Sequence, residues 1–201
     1  MTNFISLARR LALAAALLFG ANPAFAGPMY HVNINTAGIS APGGLIDFSF
    51  YSTTLAQVTS VGLSNLTSGF GPGPEFSGDV VKTTNGYSMS TAVEAQSLLT
   101  FAVPFGGNFA FDVTFADGYS GPDTSILSIG LYSAGFDEYF GSVAKFELFP
   151  ATGTAASFVA LTPGDAFATT AAVPEPSDLL LMLTGLAMAG LITRRARKNA
   201  P

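Results

Sequence analysis

Leu99-Thr100-Phe101-Ala102-Val103-Pro104-Phe105-Gly106-Gly107-Asn108-Phe109-Ala110-Phe111-Asp112-Val113-Thr114-Phe115 is the stretch that decides the fold class. Leu99, Phe101, Val103 and Phe105 recur at every second position. Gly106-Gly107 then supplies a turn, and Phe109, Phe111, Val113 and Phe115 resume the same period. Alternation by two places one face of an extended chain against a core and the other toward water, whereas a helix needs apolar spacings of three and four. The stretch therefore reads as two strands joined by a turn, each with one apolar face.

The same period extends outward in both directions. Tyr30, Val32 and Ile34 alternate with His31, Asn33 and Asn35, and Ile46, Phe48 and Phe50 with Asp47, Ser49 and Tyr51. Val58–Leu66 reads as a weaker strand region with a phase change at Gly62. Val80–Met89 reads as two short strands around an Asn85-Gly86 turn, a favourable hairpin dipeptide. Further strands are expected at Leu127–Tyr132, Ala144–Phe149, Phe158–Leu161 and Ala166–Ala172, and Thr91–Ser97 admits one short helix. Many short strands between Gly, Pro, Asp and Asn turns predict an all-β fold, an antiparallel sandwich or jelly roll, over residues 27–172.

Composition narrows the function classes. The chain has 201 residues, no Cys, no Trp and one His, which excludes a disulfide scaffold and thiol or iron–sulfur chemistry. Six of its eight Lys and Arg lie near the ends, at Arg9, Arg10, Arg194, Arg195, Arg197 and Lys198. From Gly27 to Val173 there are eleven acids against Lys82 and Lys145, a formal net charge of −9. So acidic a body lacks the basic footprint of a nucleic-acid binder.

Both ends read as addresses. Arg9-Arg10 precedes an apolar run from Leu11 to Gly20; Pro23 follows, and Ala24-Phe25-Ala26 supplies small residues three and one before a cut. This is the pattern of a signal peptide spanning residues 1–26, with signal peptidase cutting between Ala26 and Gly27. At the other end, Val173-Pro174-Glu175-Pro176 leads through Ser177 and Asp178 into an apolar run from Leu179 to Ile192, then into Arg194-Arg195-Ala196-Arg197-Lys198. Fourteen helical residues cover about 21 Å of a hydrocarbon core roughly 30 Å thick, and the flanking residues extend this to the lower limit for a transmembrane helix. The cationic cluster would stay cytoplasmic as a stop signal. The two prolines hold the preceding chain extended.

The order of Pro174-Glu175-Pro176, short apolar helix and terminal Arg cluster resembles the PEP-CTERM sorting signal of Gram-negative bacteria, over residues 173–201. The resemblance implies processing by an exosortase-like enzyme of the inner membrane, and delivery of the body to the cell surface or an exopolysaccharide matrix. The body is also similar to a small group of PEP-CTERM proteins opening with a Tyr-His-Val-Asn-Ile-Asn-Thr strand (here Tyr30–Thr36), a Gly-rich turn and a Leu/Ile-Asp-Phe strand (Leu45–Phe50). Neither resemblance implies a chemical activity, because the tag is an address shared by unrelated bodies.

For the body itself the residues favour a non-enzymatic role, structural or exopolysaccharide-associated. The alternatives are a glycan- or calcium-dependent binding module and a secreted hydrolase. Fifteen Phe remain after residue 26, and their spacing assigns them to the core. Tyr51, Tyr87, Tyr119, Tyr132 and Tyr139 are the aromatics expected to face water, where tyrosines over a groove would mark a sugar site. Asp117 and Asp123 are the candidate calcium ligands, with Asp112, Asp165 and Asp137-Glu138 as weaker ones, since calcium takes several hard oxygens from a flexible loop. They match no EF-hand, and Asp-Gly pairs also simply make turns. His31 reads as a solvent-side strand residue rather than a metal ligand or base. No Gly-x-Ser-x-Gly elbow, P-loop or dinucleotide fingerprint is present. No resident cofactor is indicated.

Overall fold

The computed structural model describes residues 27–52, 59–92, 96–116, 124–151 and 158–173. They form an antiparallel β-sandwich of two six-stranded sheets. In chain order the strands are β1 (Met29–Asn35), β2 (Gly43–Ser52), β3 (Ser60–Ser64), β4 (Glu75–Ser77), β5 (Asp79–Thr83), β6 (Gly86–Ser90), β7 (Gln96–Pro104), β8 (Asn108–Phe115), β9 (Ser125–Tyr132), β10 (Tyr139–Phe149), β11 (Phe158–Pro163) and β12 (Ala168–Val173). Sheet A has the order β12-β1-β8-β3-β6-β5, and sheet B the order β11-β10-β9-β2-β7-β4. The chain crosses between sheets after most strands, so apart from β5–β6 and the β9–β10–β11 run, neighbours within a sheet are not consecutive in sequence.

Two inner faces supply one core. Val32, Ile34, Val61, Leu63, Phe111, Val113 and Phe115 come from sheet A; Ile46, Phe48, Phe50, Leu99, Leu127, Ile129 and Phe146 come from sheet B, and all are buried. Alternation along each strand is why: β2 and β3 are buried at every second residue without a break. Removing these side chains from water is the main stabilising term, on the order of 1.5–3 kcal/mol for each fully buried apolar side chain. The aromatic rings meet edge-on across the core. Phe48 lies 5.1 Å from Phe111 at 78°, and Phe70 lies 5.2–5.8 Å from Phe101, Phe109 and Phe111 at steep angles. That arrangement sets a positive ring edge against a negative ring face.

The structure departs from the sequence expectation in several places. There is no phase change at Gly62: Val61 and Leu63 are both buried and Gly62 stays on the outer side. The β5–β6 turn is Thr84-Asn85, with Thr83 paired to Gly86, one residue earlier than the Asn85-Gly86 reading. Gln96 and Ser97 open β7 rather than close a helix. Strand β4 was hidden in a Gly- and Pro-rich stretch whose three residues are all exposed, leaving no alternation to read. The segments where the sequence leads one to expect a signal helix and a transmembrane helix lie outside the described residues.

One close approach fixes how β2 starts. A Cβ at Gly44 would run into the backbone oxygen of Tyr132 and sit 2.7 Å from the Phe105 ring. Both neighbours are packed, so Gly44→Ala is expected to destabilise the sandwich by about 1–3 kcal/mol through overpacking. Gly38→Ala, whose Cβ meets nothing within 4 Å, is the control in the same thermal-melt comparison.

Candidate functional site on the outer face of sheet B

The outer face of sheet B carries the chemistry. Register places Asp47 of β2 between Thr100 of β7 and Gly130 of β9, and Thr100 in turn faces Glu75 of β4. One row across the sheet therefore reads Glu75, Thr100, Asp47, Gly130. Glu75 and Asp47 stand two strands apart, about 9.5 Å between backbones at ordinary sheet spacing. A groove of 340 Å³ runs beside them, lined by Asp47, Glu75, Phe76, Ser77, Leu98, Thr100 and Phe136.

Aromatic rings flank it. Gly130 has no side chain, and the rings of Tyr132 and Tyr139 come within about 3.0–3.1 Å of where its Cβ would stand. Tyr132 packs 5.0 Å from Tyr139 and 5.2 Å from Phe136, both tilted. Phe136 is 51% exposed, Tyr139 55% and Phe76 58%. Phe136 and Tyr139, both against Tyr132, leave two large rings in water on this side, whereas Phe76 is paired with the inward-facing Leu99 and has the opposite parity at the sheet edge.

The β9–β10 loop that presents Phe136 is built, not slack. The Ser133 hydroxyl accepts the N–H groups of Asp137 at 3.0 Å and Glu138 at 3.1 Å, and the Phe136 N–H donates to the Ser133 carbonyl at 3.0 Å. Phe136 adopts φ 60, the left-handed region. A bulky residue is seldom found there, and such local strain collects at functional positions. Sequence reasoning missed Phe136 and Phe76 because it assigned phenylalanines to the core. The local signal was the run Tyr132–Tyr139, which gathers three aromatics and two acids around a turn where strand alternation no longer applies.

Burial pushes the Asp47 carboxyl up from its ordinary value, and the hydrogen bond donated by Thr100 Oγ1 at 2.6 Å pulls part of the way back. Burial first, then the nearby Asp47 charge and Tyr139, push the Tyr132 phenol up, so it stays protonated as a donor beside the carboxylate. A carboxyl raised in the folded state favours folding in acid and loses that contribution as pH rises through its folded value. At neutral pH Asp47 therefore works against stability. Asp47→Asn is expected to raise the melting temperature at neutral pH, with the gain shrinking toward zero below the ordinary carboxylate range. A carboxylate kept in place at a cost to stability is a pointer to function.

No protein-family model, no curated protein and no solved structure matches this chain. The site therefore stands on its own geometry.

The other expected residues fall as follows. Tyr51 and Tyr132 are half-buried on this outer face and Tyr139 is exposed. Tyr87 is a correction: it is only 9% exposed and packs edge-on to Phe101 at 5.4 Å. It shares the inward parity of Met89 on β6, so its ring belongs to the core. Asp117, Asp123 and Tyr119 lie outside the described residues. So do Ala24 and Ala26, expected to flank a signal cleavage, Pro174, Glu175 and Pro176, expected as a sorting motif, and Arg194, Arg195, Arg197 and Lys198, expected as a stop signal. Gly27 is buried beside Pro28, whose carbonyl accepts the Phe115 N–H.

Among the weaker calcium candidates, Asp165 accepts the Ser142 N–H at 2.7 Å, tying the β11–β12 loop to β10. Asp112 has both oxygens engaged, one by His31 Nδ1 at 2.7 Å and the other by Asn65 Nδ2 at 2.6 Å. The described residues hold no group of three or more His, Asp or Glu arranged for a metal. His31 does stand on the outer side of β1, directly opposite Asp112 in register. A second hollow of 590 Å³, lined by Asn35, Ile39, Glu138, Phe140 and Phe167 among others, opens at one end of the sandwich. It is larger, but Glu138 is its one ionisable side chain, so it carries less chemistry than the sheet B groove.

Proposed function

We propose that this chain is an exported, non-enzymatic protein of the cell envelope or extracellular matrix, whose sandwich associates with exopolysaccharide through the outer face of sheet B. One observation carries the binding half of the reading: the exposed Phe136 and Tyr139 rings, set against half-buried Tyr132, beside the Asp47–Glu75 groove. Pyranose rings present flat C–H faces that pack on aromatic faces, while their hydroxyls donate to carboxylates; an aromatic ring supplies such area with little side-chain entropy to lose. An open groove on a sheet face suits one stretch of a polymer better than a small enclosed molecule.

The address half rests on sequence. Residues 1–26 support export through signal peptidase. Pro174-Glu175-Pro176, the apolar run and the stop residues Arg194, Arg195, Arg197 and Lys198 support transient anchoring in the inner membrane and processing by an exosortase-like enzyme.

The test is retention of the full chain, held in mild detergent, on immobilised cell-surface polysaccharide. Phe136→Ala combined with Tyr139→Ala is expected to weaken retention about tenfold or more, as loss of central aromatic anchors does. The melting temperature should move little, because both rings are more than half exposed. Unchanged retention would remove this face from the proposal. Reducing-end release is read in the same assay, since two carboxylates flanking a glycosidic bond can also hydrolyse it; steady release lost in Glu75→Gln would replace the binding role with the hydrolase reading.

A further inference from the structure

We infer that the sheet B groove selects polysaccharide carrying free amino groups, that is, partly de-N-acetylated hexosamine polymer. The inference rests on the glycan reading of this same face and names the ligand class. Two independent features of the site point to it.

The first is uncompensated negative charge. Asp47 and Glu75 line the groove, and among the described residues neither forms an ion pair. The body has two cations to offer, and neither serves the groove. Lys145 shares the outer face of sheet B but donates to Glu147 Oε1 at 2.7 Å. Lys82 lies on β5 of the other sheet. Asp137 and Glu138 add negative charge on the loop that carries Phe136. A half-buried carboxylate beside a second one favours a ligand that brings positive charge of its own.

The second is the rings. Faces of Tyr and Phe attract ammonium groups through the ring quadrupole, and the attraction strengthens as water is displaced. Phe136 lines the groove with the carboxylates, and Tyr132 and Tyr139 adjoin it. An amino sugar satisfies both features at once: its C–H face stacks on a ring while its ammonium approaches the carboxylates. Uronate and sulfated polymers are repelled by the same charges, and by the body's formal −9. Neutral and fully N-acetylated polymers keep the stacking and forgo the charge.

The experiment compares four immobilised probes of matched length with the full chain in mild detergent, in mildly acidic low-salt buffer where the sugar amine is protonated. The probes are a β-linked glucosamine oligomer, its fully N-acetylated form, a neutral glucan and a polyuronate. The expected result is about tenfold tighter binding to the free-amine oligomer than to its acetylated form. The preference should fade at high salt, where screening shortens the reach of the charges. Glu75→Gln with Asp47→Asn should erase the preference and leave weak glucan binding. Asp112→Asn on β8 removes a charge from the other sheet, where the new amide can still pair with His31 and Asn65, and should change nothing; if it erases the preference equally, the effect is bulk charge and the inference fails. Equal binding of the acetylated and free-amine oligomers overturns the amine selectivity while leaving the glycan reading intact. Loss of neither in Phe136→Ala with Tyr139→Ala overturns the glycan reading itself.

Discussion

Phe48→Ala is expected to cost about 3–5 kcal/mol of folding stability, the range for removing a buried aromatic ring whose site cannot collapse. Phe48 is fully buried on β2, the strand flanked by β9 and β7 in sheet B. Its ring meets Phe101 of its own sheet at 6.2 Å and Phe111 of the opposite sheet at 5.1 Å, both edge-on. Those neighbours are anchored by their own strands, so the space left behind stays open. Against a total stability of roughly 5–15 kcal/mol, such a loss takes much of what a domain of this size has. The melting temperature should fall by about 6–20 °C, at roughly 2–4 °C per kcal/mol. In urea the midpoint should drop while the slope is unchanged. Phe76→Ala deletes an identical side chain at a 58% exposed position and should stay within about 0.5 kcal/mol. A double-mutant cycle between Phe48 and Phe111 should leave a coupling of about 0.5–1.5 kcal/mol for the ring pair. Equal losses at Phe48 and Phe76 would mean that the core does not carry the stability.

That contrast between two phenylalanines also marks how far the sequence could be read. Alternation identified the inner faces of β1, β2, β7, β8 and β9, because each has one wet side and one dry side along its length. Sheet membership was not legible. β2 lies beside β7 and β9, and β8 beside β1 and β3, pairings that depend on which strands meet after the chain has crossed between layers. The site was half legible. Tyr132 and Tyr139 were expected in water, and Asp47 was placed on the outer phase of its strand. Their convergence with Glu75 needed the register of β4, three exposed residues with no periodic signature. Phe136 stands outside any strand, in a turn that holds it at positive φ, so no period could have placed it. Tyr87 went the other way, because a polar tip on an aromatic body does not say which face of a short strand it occupies.

Replacing Pro174, Glu175 and Pro176 with alanine is expected to stop release of the body and leave its folding untouched. β12 ends at Val173, and its register with β1 runs from Ile34↔Ala168 to Met29↔Val173. The triplet begins at the next residue, so the altered positions lie beyond the last paired residue of sheet A. Stability should therefore be unchanged, which separates a processing defect from a folding defect. The register has a second consequence. Met29 and Val173 face each other on neighbouring strands, so the chain segments before and after the body leave it from the same end of one sheet edge. With separate labels on the body and after Lys198, the unaltered chain should yield a free body label and a membrane-held tail label. The alanine-substituted chain should keep both labels in the membrane fraction, with release at background. Inserting a flexible Gly-Ser pair between Val173 and Pro174 should leave release intact, since it falls after the last paired residue of β12 and alters no residue of the triplet. Full release from the alanine-substituted chain would show that the triplet is not the signal read, and the exosortase-type address would fall with it.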